Sequence, residues 1–210
     1  MKVNYWEDFF HRFPMMEDER DTLCQGLLLL ERQFRAGNKL LICGNGGSAA
    51  DSDHLAGELL KGFKKQRPLP QKLAEAIKRA DPEHGAELAA SLQCGLPVIN
   101  LCTHIALHTA FANDCDYQNV FAQLTVAYGR PGDVLLGIST SGNSPNVIRA
   151  VTSASALGLY TIGLTGGSGG MLRTRTDVCI TVPETDTYRI QELHLPIYHM
   201  LCLELEDRIY

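Results

Sequence analysis

Short apolar runs alternate along the chain with longer segments in which apolar residues recur at helical spacing. The runs have the length of β-strands. Their hydrophobicity is continuous, which is typical of strands covered on both faces, as in a parallel sheet between two layers of helices. The pattern therefore predicts an α/β fold, a three-layer sandwich with a five-stranded parallel sheet. The predicted strands are 39–43, 96–101, 134–138, 161–164 and 178–182.

The segment before the first strand predicts a long amphipathic N-terminal helix. Leucines and a phenylalanine recur there at helical spacing, and the pair Gly37-Asn38 supplies its end. Nearer the N-terminus, Trp6, Phe9 and Phe10 indicate a short amphipathic helix. Three large aromatic side chains on a short helix would otherwise expose apolar area, so we interpret them as a possible anchor for an oligomer.

One stretch interrupts the alternation of strands and helices. Residues 71–95 predict an inserted helical segment of two short helices, divided by the turn at Asp81-Pro82. This segment has three interpretations that the sequence leaves open: a surface hairpin, a cap over a ligand, or an interface element. The last predicted helix contains Pro196, which removes a backbone donor and predicts a kink.

Length and charge narrow the class of protein. At 210 residues, of which 45% are hydrophobic, the chain can bury one sizeable core, and we expect a single domain over 1–210. The formal net charge of -5 argues against non-specific nucleic-acid binding, so the expected anionic partner is a small molecule. The seven cysteines show no C-x-x-C spacing, which favours reduced thiols.

The chain carries no apolar run long enough to span a bilayer, and its first eight residues are too polar for a signal peptide. These two observations predict a cytoplasmic protein that does not bind a membrane.

Two loops of small residues carry the first chemical signal. They are Cys43-Gly44-Asn45-Gly46-Gly47-Ser48 and Ser139-Thr140-Ser141-Gly142-Asn143-Ser144, and each follows a predicted strand and precedes a predicted helix. In this arrangement several backbone N–H groups and the positive end of a helix dipole face one point in space. Serine hydroxyls add donors that can turn towards phosphate oxygens. The sequence therefore predicts a phosphate cradle.

Beyond the first loop, His54 and Glu58 are four residues apart and share one face of a helix. Gln191 and His199 are eight residues apart, about two turns, on the C-terminal helix. If the two helices meet, these four side chains form a metal site. Each pair alone has a plainer interpretation, since residues at this spacing are often ordinary surface contacts.

The set of motifs resembles one known family. The order is G-N-G-G-S, a histidine six residues on, a glutamate four further, then N-D, S-T-S-G-N-S and R-I-Q-E, with a histidine eight residues after its glutamine. This order is similar to that of the phosphoheptose isomerases of the sugar isomerase (SIS) domain family. The resemblance implies a flavodoxin-like, doubly wound SIS domain. It also implies conversion of sedoheptulose 7-phosphate to D-glycero-D-manno-heptose 7-phosphate through an enediol, in nucleotide-activated heptose biosynthesis.

The resemblance assigns a role to each matching residue. It implies one zinc ion per active site, an acid–base pair formed by Glu58 and His199, and a homotetramer whose active sites lie at subunit interfaces. The implied phosphate contacts are Ser139, Thr140, Ser141 and Ser144. The implied sugar contacts are Asn45, Gly46, Gly47, Ser48, Glu58, Asn113, Asp114 and Gln191. The implied zinc ligands are His54, Glu58, Gln191 and His199.

Two non-catalytic functions are the alternatives. A scaffold of the same fold, related to a bacterial replication initiator-associating protein, lacks equivalents of Glu58 and His199 and has an arginine where Ser141 stands here. A phosphosugar-sensing module would need the cradle without the acid–base pair. The residues present in this chain favour the enzyme.

Overall fold

The structure is a computed structural model that describes residues 4–210. The first three residues of the polar N-terminus considered above lie outside the described residues. The centre of the fold is a parallel five-stranded sheet with strand order β2-β1-β3-β4-β5. This is the predicted doubly wound arrangement. The strands are β1 (Leu40–Gly44), β2 (Val98–Asn100), β3 (Val134–Ile138), β4 (Tyr160–Gly166) and β5 (Val178–Val182).

All five strands lie where the sequence predicts them, but β2 is shorter than expected. After Asn100 the chain turns into a short 3-10 helix, Leu101–Thr103, because the side chain of Asn100 accepts a hydrogen bond from Cys102 N. Such a local side-chain bond competes with continuation of the strand.

Ten α-helices flank the sheet in the described part of the chain. The first five are α1 (Tyr5–Arg12), α2 (Arg20–Arg35), α3 (Gly47–Leu60), α4 (Gln71–Ala80) and α5 (Gly85–Ser91). The others are α6 (Ile105–Asp114), α7 (Val120–Tyr128), α8 (Pro145–Ala156), α9 (Leu172–Arg175) and α10 (Thr187–Ile209). The predicted pair of short helices in 71–95 is therefore present as α4 and α5. Helix α10 runs through Pro196.

Side chains of each central strand point alternately into two separate cores. In β1, Leu40 and Ile42 join the core beneath α1, α2, α3 and α10, whereas Leu41 and Cys43 join the core beneath α7 and α8. All five residues of β1 are buried. The continuous hydrophobicity of the strand sequence follows from this coverage, because neither face of the strand meets water.

The N-terminal helices belong to the first of these cores. Helix α2 ends before Gly37, as predicted, and Gly37 adopts φ +84°. Phe9 and Phe10 of α1 are 3% and 4% exposed and pack within the chain's own core, with Trp6 against it. The expectation that these aromatic side chains anchor an oligomer is therefore wrong for the two phenylalanines, because they already pack in the chain's own core, where α10 contacts α1.

The strand order places the two small-residue loops side by side. The chain leaves β1 towards β2 on one side and returns to β3 on the other, so the direction of winding reverses between β1 and β3. These strands are paired up to their carboxyl ends, where Gly44 lies beside Ile138. Ligands of doubly wound folds bind at such a switch point.

A buried ion pair ties the end of α3 to α10. Glu206 accepts hydrogen bonds from the backbone N–H groups of residues 63, 64 and 65 at 2.8–2.9 Å and from Arg67 Nε at 2.8 Å. Arg67 is fully buried, donates from Nη1 to Leu59 O, and stacks on the ring of Tyr210. The loop that follows α3 is thereby fixed against α10.

Two further predictions can be compared with the structure. All seven cysteines lie in the described part of the chain, and each is a free thiol. Among the helices of residues 4–210, none combines the length and the apolar character needed to cross a bilayer.

His194 is buried on α10 without a complete set of hydrogen bonds. Its Nε2 lies 3.4 Å from Thr165 O, and its Nδ1 has no partner among the described residues. Burial lowers the pKa of His194 to about 4, although the contact with Thr165 partly opposes the shift. The imidazole is therefore held neutral inside the folded protein.

This burial predicts an acid-sensitive contribution to stability. In the unfolded chain His194 takes up a proton near pH 6.5, whereas in the folded protein it does so only near pH 4. Its contribution is therefore lost as the pH falls from about 6.5 to about 4, by about 3 kcal/mol in total. As the pH falls from about 6.5 to about 4, the free energy of unfolding, measured with denaturant, should decrease less for His194→Gln than for the wild type. The exposed His84→Gln is the control, and parallel curves for all three proteins would contradict the assignment.

Candidate active site

A cavity of about 270 Å³ opens between the two loops at the carboxyl edge of the sheet. The polar groups that line it come from both loops and from the first turns of α10. Its lining residues are Asn45, Gly46, Gly47, Ser48, Ile138, Ser139, Thr140, Ser144, Thr187 and Gln191. The N-termini of α3 and α8 begin at this edge, so their unpaired N–H groups and dipoles favour an anion here.

The second loop, residues 139–144, presents hydroxyls towards the cavity. Ser139 Oγ and Ser144 Oγ lie 2.9 Å apart and share one hydrogen bond. The turn between them requires a glycine: Gly142 has φ +66°, and a Cβ on it would lie 2.0 Å from Gly169 O. Ser141 is exposed, and its Oγ accepts a hydrogen bond from Asn143 N.

The first loop approaches α10 closely. A Cβ on Gly47 would lie 2.4 Å from Gln191 Nε2, so the amide of Gln191 rests against this glycine. The loop is also joined to α8, the helix that follows the second loop. The side-chain amides of Asn45 and Asn146 exchange two hydrogen bonds of 2.9 and 2.8 Å, and Asn146 is 4% exposed.

A second group of polar side chains lies two turns further along the same helices. His54, Glu58 and His199 bring their ligand-type atoms within 4.8 Å of one another. His54 Nε2 is 3.2 Å from Glu58 Oε1 and 3.4 Å from His199 Nε2. Ligand atoms at about 2.0–2.2 Å from a tetrahedral zinc ion lie about 3.3–3.6 Å from one another, so this spacing and this donor set fit such an ion.

The protonation of this group also suits a metal ligand. Burial, and then the neighbouring His54, lower the pKa of His199, although Glu58 partly opposes the shift. The neutral imidazole, with a lone pair available, is thereby favoured. The His54 side chain keeps 43% of its surface exposed, so the group is accessible from solvent.

A buried pair of polar groups supports the far side of His54. Tyr198 OH lies 3.0 Å from His54 Nδ1 and 3.4 Å from Asp51 Oδ1. Tyr198 is 1% exposed, and burial, followed by the charge of Asp51, raises the pKa of its hydroxyl. Burial also raises the pKa of Asp51, whose Oδ2 has no partner in the described part of the chain.

The cavity lining and the histidine–glutamate group are seven or eight residues apart on both α3 and α10. Gly47 meets Gln191 beside the cavity, and seven residues later on each helix His54 meets Tyr198. Helices α3 and α10 therefore run in the same direction along this contact. Seven residues correspond to about 10 Å. The Gly47–Gln191 contact and the His54–Tyr198 contact are therefore about 10 Å apart along the helices.

Sequence comparisons relate the chain to known proteins. The SIS domain family model matches residues 84–166. A phosphoheptose isomerase of Crocosphaera subtropica is 42% identical over 213 residues, which cover 99% of this chain and 94% of the relative. The chain belongs to the phosphoheptose isomerase family. A relative with the same name from Thiobacillus denitrificans is 44% identical over 85% of this chain and 79% of its own.

Solved structures agree with this membership. The phosphoheptose isomerase of Francisella tularensis superposes with a TM-score of 0.76 at 29% identity, covering 97% of this chain and 95% of that one. The enzyme from Neisseria gonorrhoeae gives a TM-score of 0.74 at 32% identity, with 93% and 91% covered. The SIS-type α/β fold expected from the motifs is therefore confirmed.

The residues assigned through the resemblance fall into three places. Most of the implied sugar and phosphate contacts line the cavity, and three of the four implied zinc ligands form the histidine–glutamate group. Gln191, the implied fourth ligand, lines the cavity beside Gly47. Asn113 and Asp114 end α6 in exposed positions and hydrogen-bond to each other, away from the cavity lining.

The sequence argument missed four residues of this region. Thr187 lines the cavity, Asn146 joins the first loop to α8, and Asp51 and Tyr198 support His54. Asp51 alone had a readable signal, since it precedes His54 by three residues on the same helix face. The partners of the other three are set by contacts between segments about 100 residues or more apart, or by the position of α10.

The contribution of the amide pair between Asn45 and Asn146 can be tested by measuring the stability of the protein. Asn146→Ala removes both bonds to Asn45 and the bond that Asn146 Oδ1 accepts from Val147 N. Because the buried backbone N–H of Val147 and the side-chain amide of Asn45 lose a partner, we expect a loss of about 1–3 kcal/mol in the free energy of unfolding. Urea unfolding measures it, with the exposed Gln118→Ala as the control. Equal midpoints for the two variants would contradict a joining role for Asn146.

Proposed function

We propose that this protein interconverts sedoheptulose 7-phosphate and D-glycero-D-manno-heptose 7-phosphate, a ketose–aldose isomerisation in heptose biosynthesis. One observation carries the proposal: an anion-binding cavity and a group of acid–base side chains lie two helical turns apart on the same two helices. An extended sugar phosphate reaches from one to the other. The 42% identity to a named phosphoheptose isomerase supports this assignment.

The phosphate end of the substrate binds at the second loop. Ser139, Thr140, Ser141 and Ser144 donate hydrogen bonds to it, together with the N-terminal turn of α8. Binding energy from this end, remote from the reacting carbons, orients C1 and C2 at the other end. The first loop, residues 45–48, and Gln191 contact the sugar hydroxyls between the two ends.

The isomerisation moves a proton between C1 and C2 through a cis-enediol. Glu58 takes the proton from carbon, and His199 moves protons at the two oxygens. A positioned acid or base of this kind contributes about 10²–10⁴-fold. Burial and the neighbouring His54 lower the pKa of His199, which favours its neutral imidazole over the charged form.

We further propose that His54, Glu58 and His199, with Gln191 as fourth ligand, hold one zinc ion. The spacing of the first three supports this. Gln191 is included because of the resemblance, since its amide rests against Gly47 in the structure. When bound, such an ion stabilises negative charge on the enediol oxygens as a Lewis acid. Glu58 offers two carboxylate oxygens, of which Oε1 faces His54.

The proposed assembly is a homotetramer whose active sites lie at subunit interfaces. Helix α6 supports this: no residue of it is buried in the described chain, although the helix is largely apolar, and Ile105 is 75% exposed. Asn113 and Asp114 lie at the end of this helix. We propose that they contact the sugar bound by a neighbouring copy, which explains their distance from the chain's own cavity.

Three further expectations from the sequence complete the proposal. Residues 1–210 form one SIS domain, in which 71–95 is an inserted segment. The enzyme acts in the cytoplasm, where phosphorylated sugars are made and consumed. The interconversion requires neither a nucleic acid nor a membrane.

Substitution of the proposed base tests the catalytic assignment. Glu58→Gln should lower turnover of sedoheptulose 7-phosphate by at least about a hundredfold, because the amide cannot take the carbon proton. Binding of the substrate through its phosphate group, followed by calorimetry, should change little. Glu87→Gln, on the exposed face of α5, is the matched control. Normal turnover by the Glu58 variant would contradict the assignment of Glu58 as the base that takes the carbon proton. Wild-type protein without turnover would favour the scaffold or sensing alternatives.

Removal of the metal tests the zinc assignment separately. Protein dialysed against a chelator should lose turnover, and stoichiometric zinc should restore it. The circular dichroism spectrum should stay unchanged, because the three side chains are already held by α3 and α10. Full turnover by protein shown by elemental analysis to be metal-free would contradict the zinc site while leaving the isomerase assignment intact.

A further inference from the structure

The orientation of His54 raises a question of protonation. Its Nε2 faces both Glu58 Oε1 and His199 Nε2, at 3.2 and 3.4 Å. To ligate a cation at this point, Nε2 must carry a lone pair and no proton. A neutral imidazole has one ring proton, so that proton must be on Nδ1. A group that accepts a hydrogen bond from Nδ1 therefore decides whether the ring is ready to bind.

Tyr198 is the group in contact with that nitrogen. Its hydroxyl oxygen lies 3.0 Å from Nδ1, and the two rings meet edge to face with centroids 5.4 Å apart. A hydroxyl can either donate to Nδ1 or accept from it. Only the second choice leaves the lone pair on Nε2.

Asp51 determines which choice is made. Its Oδ1 lies 3.4 Å from the same hydroxyl, and its buried Oδ2 has no other partner among residues 4–210. A carboxylate accepts and cannot donate, so the single hydroxyl proton of Tyr198 is directed towards Asp51. The oxygen of Tyr198 is then free to accept from Nδ1–H of His54.

We propose that Tyr198 is a positioning residue of the metal site: with Asp51 as its acceptor, it holds His54 in the Nδ1–H tautomer and aims Nε2 at the ion. This inference rests on the zinc site proposed above. Partners of this kind behind a ligating histidine typically contribute 10–100-fold to metal affinity. Because Tyr198 precedes His199 in α10, neighbouring residues of one helix contact His54 on both of its nitrogens.

The first test measures metal affinity. Metal-free wild type, Tyr198→Phe and Tyr160→Phe are titrated with zinc against a chromophoric chelator. We expect Tyr198→Phe to weaken binding about 10–100-fold. Tyr160→Phe, the same change at an exposed residue away from the site, should stay within about twofold of the wild type. Equal affinity of wild type and Tyr198→Phe overturns the inference.

The second test observes the tautomer directly in metal-free protein. Nitrogen-15 chemical shifts of the His54 ring should report the Nδ1–H form in the wild type and a mixture in Tyr198→Phe. Asp51→Ala should turn the Tyr198 hydroxyl towards Nδ1, so the Nε2–H form should appear and zinc affinity should fall about tenfold. This variant also keeps the test open if Tyr198→Phe does not fold, since it removes an incompletely paired carboxylate.

The two measurements separate the possible failures. A wild type that binds no zinc contradicts the proposed metal site, and the ring shifts of metal-free protein still decide the role of Tyr198. A wild type in which His54 carries its proton on Nε2 overturns the inference whatever the affinity.

Discussion

Glu206 and Arg67 are a charged pair almost without solvent contact, and they fix the two helices that carry the site. The carboxylate satisfies three successive backbone N–H groups after α3, and the guanidinium reaches back to Leu59 O in the last turn of α3. A buried pair of this kind is costly to break, since one charge would remain buried alone, typically at about 3–5 kcal/mol. The relative position of α3 and α10, and with it the contact of His54 with His199, depends on this pair.

The sheet supplies the other half of the site. Because the winding reverses between β1 and β3, the two loops of small residues follow neighbouring strands and face one cavity. Helix α3 starts in that cavity and passes the contact with His199 two turns later. The same helix therefore connects the cavity between the loops to the histidine–glutamate group, and its rigidity fixes the distance between them.

Much of this arrangement follows from local sequence. Strand positions are predictable because burial on both faces demands continuous apolar runs, and His54 with Glu58 is predictable because a helix places residues four apart on one face. That His199 lies beside His54 and Glu58 was predictable only from the resemblance of the motifs to a known family. The burial of Phe9 and Phe10 within the chain was not predictable, because an amphipathic helix is covered equally well by another copy or by a helix of its own chain, here α10.

The polar contacts behind the site could not be predicted from the sequence, for a different reason. Arg67 with Glu206, Asn45 with Asn146, and Asp51 with Tyr198 each join segments about 100 residues or more apart. No spacing rule links such residues, because the fold alone brings them together. Aspartate, tyrosine and asparagine at these positions look like ordinary helix or loop residues until their partners are known.

The reciprocal amide bonds of Asn45 and Asn146 have a consequence for ligand binding. They join the first loop, which contacts the sugar in the proposed binding mode, to α8, the helix that follows the proposed phosphate-binding loop. Ordering of one by an anion lowers the entropic cost of ordering the other. By thermodynamic linkage the effect is reciprocal: whatever factor the phosphate group adds to affinity for the sugar, the sugar adds to affinity for phosphate.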